Sequence, residues 1–162
     1  ENKTNANNHY AKIKLKSESL FDLKKTAILR LTNVYGHFMN KENIFCDIIS
    51  QLPFDRSIKI RDGSPVREFL FIEDLCYLIF LVLKNPITGI FNLGSNESIS
   101  IKNLAILIAK KANKKKINIV ETNKKNIKSN ILLNSEKIMN KLPWKPKVKL
   151  KRGILDLIKL KS

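Results

Sequence analysis

The stretch TAILRLT, from Thr26 to Thr32, consists mainly of residues that favour β-strands. A short apolar run of this kind is typical of a buried strand in a parallel sheet. Residues 10–25, which precede it, are rich in helix formers and carry an apolar stripe at Ile13, Leu20 and Leu23. We therefore predict a helix that leads directly into a buried parallel strand.

The alternation of helices and strands continues along the chain after a turn at Tyr35-Gly36. Helices are predicted over residues 42–52, 73–84, 101–112, 135–141 and 153–160, and strands over residues 57–60, 69–72, 89–94, 117–120 and 131–133. Ser100 is the predicted N-cap of the helix that begins at Ile101. This pattern predicts an α/β fold.

The composition fits a globular domain. The chain has 162 residues, of which 43% are hydrophobic and 28% charged, so it is long enough to bury a core. The longest apolar run, residues 75–83, is far shorter than the roughly 20 residues of a membrane span, and no membrane association is predicted. His9 and His37 are far apart in sequence and have no acidic or Cys partner at ligand spacing, so no metal site is predicted.

The two cysteines, Cys46 and Cys76, stand among apolar residues and lack CxxC spacing. They are predicted to be reduced core residues, which favours a cytoplasmic location.

The positive charge is concentrated at the C-terminal end. The formal net charge is +17, and residues 102–162 carry 18 Lys or Arg against three Asp or Glu. A solvated Lys-rich face explains this best, and binding of a polyanion is the alternative. A nucleic-acid-binding module is a remote alternative, because Trp144 is the only aromatic residue beyond Phe91.

Tyr10 and Lys14 are the first candidates for chemistry. Their spacing places both on one face of the predicted helix, where the ammonium can stabilise a phenolate. Such a phenol can exchange a proton with a substrate hydroxyl or carbonyl while a hydride moves to or from a nicotinamide. Because Lys is abundant in this chain, the pair carries weight only in the context of other motifs.

That context is a series of motifs in a fixed order. The pair is followed by LRLTNVYG at 29–36, DGSPVREFLFIED at 62–74, GIFNLG at 89–94, NSEK at 134–137 and LPWKP at 142–146. In order and spacing this series resembles the NAD-dependent epimerase/dehydratase family, the nucleotide-sugar-modifying branch of the extended short-chain dehydrogenase/reductases. The resemblance extends from about residue 9 to residue 160.

The resemblance implies roles for individual residues. Tyr10 would be the catalytic acid/base, and Lys14 would assist it and bind the nicotinamide ribose. Leu31 would contact the nicotinamide through its backbone. Asn33 and Arg67 would contact the diphosphate of a nucleotide-sugar substrate, as a donating amide and a forked guanidinium can. Asn43 and Ile60 match positions that line the sugar and base. The same side chains also have purely structural interpretations: Asn33 could cap a turn, and Arg67 could pair with Glu68 or Asp74.

The chain also departs from the family pattern. The family holds its dinucleotide with a Gly-x-x-Gly-x-x-Gly turn, whereas the five glycines here are scattered. Glu68 stands where Asp is usual. We therefore expect the chain to correspond to the C-terminal half of a family member: residues 1–36 would end a doubly wound, Rossmann-like parallel sheet and carry the catalytic helix. Residues 37–162 would form mainly a small α/β substrate-binding domain, with residues 66–94 returning to the Rossmann-like part.

The resemblance implies a nucleotide-sugar enzyme that uses NAD, with NADP not excluded, and that is a homodimer at full length. A UDP-sugar 4-epimerase-like reaction is expected first. A 4,6-dehydratase, a 4-ketoreductase and an inactive truncated remnant are the alternatives.

Overall fold

The computed structural model of the chain describes residues 9–53, 57–114, 117–123, 125 and 129–159. The helices are α1 (His9–Glu18), α2 (Ile44–Gln51), α3 (Ile72–Lys84), α4 (Ile101–Lys111), α5 (Glu136–Met139) and α6 (Leu150–Lys159). The strands are β1 (Ala27–Leu31), β2 (Asn33–Tyr35), β3 (Ser57–Ile60), β4 (Val66–Phe71), β5 (Gly89–Leu93), β6 (Ser98–Ser100) and β7 (Asn118–Glu121).

Most strand pairing in the described chain is parallel. β1 pairs with β5 from Ala27 opposite Gly89 to Leu31 opposite Leu93. β4 lies between β2, to which it is parallel, and β6, to which it is antiparallel. β3 and β7 form a further parallel pair. The predicted α/β class with a parallel, Rossmann-like sheet is confirmed.

Thr32 alone separates β1 from β2, so the chain passes from one sheet to the next within a single residue. Its amide donates to the carbonyl of Leu93 at 2.9 Å, and its hydroxyl donates to the carbonyl of Glu68 at 3.0 Å. These two bonds fix the carboxyl end of β1 against both β5 and β4.

Two hydrophobic cores meet at β4. The first, here the α2–α4–α6 core, contains Tyr35, Phe45, Ile48, Phe69, Phe71, Leu104, Ile108 and Ile154 among others. The second, the α3 core, contains Leu70, Leu75, Leu78, Leu81, Phe91, Leu93, Ile138, Leu142 and Trp144. Alternate residues of a strand point to opposite faces, and β4 therefore contributes to both cores.

Local sequence signals predicted most of these elements. The observed bounds lie within a few residues of the predicted ones for nine elements: β1, β3, β4, β5, β7, α2, α3, α4 and α6. Ser100 caps α4 as expected, since its hydroxyl accepts from the Asn103 amide at 3.2 Å. Leu160, the predicted end of the last helix, lies outside the described residues.

The first helix is shorter than predicted. It ends at Glu18, and residues 19–25 form turns, one of them stabilised by Asp22 Oδ1, which accepts from the Lys24 amide at 2.9 Å. The predicted apolar stripe is exposed: 51% of Ile13, 79% of Leu20 and 42% of Leu23 is accessible. α1 buries no residue in the described structure.

The strand predicted over residues 131–133 is wrong. The Ile131 amide donates to the Val66 carbonyl and the Leu133 amide donates to the Glu68 carboxylate, so a side chain takes the place of a strand ladder. β2 and β6 were not predicted, because three-residue strands are too short to show a period.

The cysteine prediction is only partly correct. Both thiols are free, but Cys46 is half-buried and Cys76 is exposed on α3. Neither is a fully buried core residue.

Two features are absent from the described residues. None of their helices combines the length and the apolarity that crossing a bilayer requires. They also hold no group of three or more His, Cys, Asp or Glu side chains arranged to bind a metal ion.

Candidate functional site

Tyr10 and Lys14 lie together on α1. The Lys14 Nζ stands 5.7 Å from the centroid of the Tyr10 ring, as the spacing of four residues predicts. Tyr10 is 70% exposed, so its hydroxyl is open to a substrate. The structure therefore brings the predicted acid/base and its cation to the same helix face.

An ion pair connects α1 to the sheet. Arg30, in the middle of β1, donates from Nε to Glu18 Oε1 at 2.9 Å and from Nη2 to Glu18 Oε2 at 2.5 Å. This two-bonded geometry is the strongest that a guanidinium and a carboxylate can form. The hydrogen bond from Arg30, together with its charge, holds the pKa of Glu18 below the usual value of 4.5, although partial burial opposes the shift.

The contact of α1 with β1 is expected to depend on pH. Because the pKa of Glu18 is lowered in the folded chain, the ion pair stabilises the fold above the unfolded-state pKa and is lost as pH falls through the folded-state value. NMR titration of the Glu18 carboxyl, together with amide exchange in α1, should show α1 loosening in acid. Glu18→Gln should remove this acid-dependent step, and Glu136→Gln, a matched change on α5, should leave it in place. If α1 in Glu18→Gln loosens at the same pH as in the wild type, the ion pair does not anchor the helix.

Leu31 ends β1 at the carboxyl edge of the β1–β5 pair, opposite Leu93. In open α/β sheets ligands bind outside the carboxyl ends of parallel strands. Leu31 is 45% exposed at this edge. Tyr10, Lys14 and Leu31 are the residues predicted to contact the nicotinamide–ribose end of a dinucleotide, and this contact stays a prediction. The glycine-rich turn that would hold its pyrophosphate does not occur in this sequence.

Asn33 begins β2, and Arg67 lies on β4, the strand that pairs with β2. The Asn33 Nδ2 donates to the Glu68 carbonyl at 3.1 Å, which places this amide beside the residue that follows Arg67. Arg67 Nη1 donates to the carbonyls of Val66, at 2.8 Å, and Ser129, at 3.0 Å. An amide NH2 has two donors and a guanidinium five, so both groups retain N–H donors for an anion.

In the part of the chain that the structure describes, Arg67 forms no ion pair with Glu68 or Asp74, the two acids that the structural alternative named. The Glu68 carboxylate accepts from the amides of Asn96 and Leu133, and the Asp74 carboxylate accepts from those of Lys147 and Val148.

Asn43 and Ile60 belong to other elements, the cap of α2 and β3. Asn43 is the N-cap of α2, and its side chain accepts from the Phe45 amide at 3.1 Å. Ile60 is 2% exposed and belongs to the α2–α4–α6 core, while its carbonyl accepts from Thr122. Both have structural tasks, and their predicted contact with the sugar or base stays a prediction.

Glu68 was not among the predicted site residues. It is fully buried next to Arg67 and bonds to the loop after β5 and to the segment before α5. The sequence gives no direct signal for this role, because the predicted strand over residues 69–72 begins after Glu68, whereas β4 begins at Val66.

Comparisons with known proteins identify the family of the chain. The sequence model of the NAD dependent epimerase/dehydratase family matches residues 1–94. The dTDP-4-dehydro-6-deoxyglucose reductase of Escherichia coli is 31% identical over 144 residues, which cover 83% of this chain and 44% of the relative. A probable GDP-L-fucose synthase of Oryza sativa subsp. japonica is 33% identical over 99 residues, 60% of this chain and 30% of the relative.

Solved structures share the fold. RMD from Pseudomonas aeruginosa, complexed with NADPH, superposes with a TM-score of 0.83 at 19% identity over 93% of this chain and 55% of that chain. The dTDP-glucose 4,6-dehydratase of Bacillus anthracis in complex with NAD gives a TM-score of 0.78 at 22% identity, over 94% and 51% of the two chains. The chain thus spans about half the length of these structures, and less than half of the curated relatives above.

Proposed function

Because this chain belongs to the NAD-dependent epimerase/dehydratase family, we propose that it supplies the acid–base group and the substrate diphosphate site of an enzyme that modifies nucleotide-sugars by hydride transfer. The observation that carries the proposal is the position of Asn33 and Arg67. Asn33 begins β2 and donates to the carbonyl of Glu68, the residue after Arg67 in β4, and both side chains have donors left for an anion.

In this proposal Arg67 and Asn33 bind the diphosphate. The guanidinium supplies charge and a planar fork that matches phosphate oxygens, whereas the amide adds a donor without charge. The main-chain and side-chain bonds of both residues hold them before a ligand arrives, which lowers the entropy lost on binding.

Tyr10 and Lys14 act on the sugar. A bound nicotinamide supplies the hydride acceptor or donor for a sugar carbon. Tyr10 removes the proton of the sugar hydroxyl when the carbon is oxidised and returns a proton when the carbonyl is reduced. Lys14, 5.7 Å from the Tyr10 ring, stabilises the phenolate by charge. Lys14 also binds the ribose of the cofactor, and the Leu31 backbone borders the nicotinamide. The cofactor is NAD or NADP, since solved structures that share the fold are complexed with NADPH or NAD.

Two reactions on the sugar are candidates. The sequence favours a UDP-sugar 4-epimerase-like reaction, in which the hydride returns to the same carbon. Reduction of a 4-keto sugar is the second candidate, and the name and 31% identity of the Escherichia coli reductase favour it. The two differ in cofactor balance: a reductase consumes one reduced nicotinamide per sugar, whereas an epimerase consumes none. Homodimer formation and a cytoplasmic location stay predictions.

The remote nucleic-acid alternative loses its aromatic residue. Trp144 is 3% exposed, and its indole Nε1 donates to the Asp74 carbonyl at 2.9 Å, so the ring is not available for stacking with a base.

Binding of UDP to this chain, followed by NMR or calorimetry, tests the diphosphate site. Arg67→Ala is expected to weaken UDP binding by about ten-fold or more, because a charge-assisted pair of hydrogen bonds is lost. Arg152→Ala removes an exposed guanidinium on α6 and should leave the affinity unchanged. Equal affinity of Arg67→Ala and wild type would contradict the assignment, as would equal losses in the two variants.

A further inference from the structure

Glu68 is a buried carboxylate without a cation. It is 0% exposed in the middle of β4, and no Lys or Arg of the described residues forms an ion pair with it. Its oxygens instead accept from two main-chain amides, Asn96 at 2.7 Å and Leu133 at 2.9 Å. These charge-assisted bonds replace the water that the carboxylate lost on burial.

The two amides belong to different segments. Asn96 lies in the loop after β5, and Leu133 lies in the 129–135 segment. The same loop and segment are joined a second time, because the Gly94 amide donates to the Ser135 hydroxyl at 2.8 Å. A side chain on Gly94 would overlap the Glu68 carboxylate, so glycine allows the close approach. Glu68 thus stands at the point where three segments meet.

Both residues that are predicted to contact the phosphates, Asn33 and Arg67, are bonded to this junction or adjacent to it. Asn33 donates to the carbonyl of Glu68 itself, and Arg67 is its neighbour in β4. Arg67 holds the beginning of the 129–135 segment through the Ser129 carbonyl, and Glu68 holds the Leu133 amide further along it. Since adjacent strand residues point to opposite faces, the two side chains fix β4 against this segment from both sides.

We propose that Glu68 is a positioning residue for Asn33 and Arg67, which rests on the diphosphate site proposed above. Its carboxylate fixes the loop after β5 and the 129–135 segment around β4. The Asn33 amide and the Arg67 guanidinium are thereby presented to the substrate in one orientation.

Glu68→Gln tests this role. The amide NH2 of the glutamine faces a main-chain N–H in place of an acceptor, so the bond to Asn96 or to Leu133 is lost. We expect faster hydrogen exchange at those two amides and shifted or broadened side-chain NMR signals of Asn33 Nδ2 and Arg67 Nε. UDP should bind about ten-fold more weakly.

Glu121→Gln is the matched control. Glu121 also accepts from a main-chain amide, that of Gly63 at 3.1 Å, but it lies on β7 away from Asn33 and Arg67. A general loss of stability would appear in both variants, whereas the change in the Asn33 and Arg67 signals should appear in Glu68→Gln alone.

If Glu68→Gln does not fold, Ser135→Ala is the variant that tests the positioning role instead. It removes the acceptor of the Gly94 amide and loosens the same junction while leaving the carboxylate in place. If the NMR signals of Asn33 and Arg67 are unchanged in folded Glu68→Gln, Glu68 is not a positioning residue. The same conclusion holds if they are unchanged in Ser135→Ala, where that variant has to replace Glu68→Gln. If wild type does not bind UDP, the proposed diphosphate site fails, but these signals still decide whether Glu68 orients the two side chains.

Discussion

Tyr10→Phe is expected to lower nucleotide-sugar turnover by about 10²- to 10⁴-fold, the range that general acid–base catalysis contributes. The substitution removes only the hydroxyl that exchanges the proton. Tyr10 is 70% exposed on a helix that buries no residue, so folding should be unaffected. The measurement is the steady-state rate of an active polypeptide that contains this chain, with wild type and variant compared at saturating substrate.

Tyr77→Phe is the matched control for that loss. Tyr77 lies on α3, its ring stands 5.2 Å from the Lys147 ammonium, and no role in the reaction is assigned to it. Its hydroxyl should be dispensable. If Tyr10→Phe turns over substrate as fast as Tyr77→Phe, the acid/base role of Tyr10 is refuted.

Gly153→Ala is expected to destabilise the fold by about 3 kcal/mol, at the upper end of what overpacking a core costs. An alanine methyl at this position of α6 would overlap the hydroxyl of Tyr35 and come within 2.9 Å of its ring carbons Cε2 and Cζ. Tyr35 has no room to withdraw, since it is 1% exposed and its ring stacks on Phe45 with centroids 4.5 Å apart. Chemical denaturation measures the loss, and Lys151→Ala, at an exposed position of the same helix, should cost little.

A double-mutant cycle with Tyr35→Phe identifies the cause. The Tyr35 hydroxyl is buried without a hydrogen-bond partner among the described residues, so its removal should change stability by less than about 1 kcal/mol. Burial, followed by the charge of Asp74, raises the pKa of Tyr35, and the hydroxyl therefore stays neutral at physiological pH. In the double variant much of the Gly153→Ala loss should be recovered. Additive effects of the two substitutions would show that the clash lies elsewhere.

Sequence signals predicted the elements whose cause is local. The β-branched and apolar run before Thr32 forms β1, and the hydroxyl of Ser100 caps α4. The spacing of Tyr10 and Lys14 brings the two side chains together because helix geometry alone decides it. These features need no information from distant parts of the chain.

The predictions that failed concern features that depend on distant contacts. Residues 131–133 have the composition of a strand, but a carboxylate 65 residues away in sequence takes the Leu133 amide. The stripe predicted at Ile13, Leu20 and Leu23 has helical spacing, yet α1 ends at Glu18, and exposure depends on what packs against a helix. The periodicity and spacing of residues in the sequence do not identify these distant partners.

The position of β4 has a thermodynamic consequence. Phe69 and Phe71 belong to the α2–α4–α6 core, and Leu70, between them, belongs to the α3 core. Neither core can lose this strand without exposing the apolar residues of the other. We therefore expect the two cores to melt as one cooperative unit, and the fluorescence of Trp144, the only tryptophan and a member of the α3 core, to report the unfolding of both.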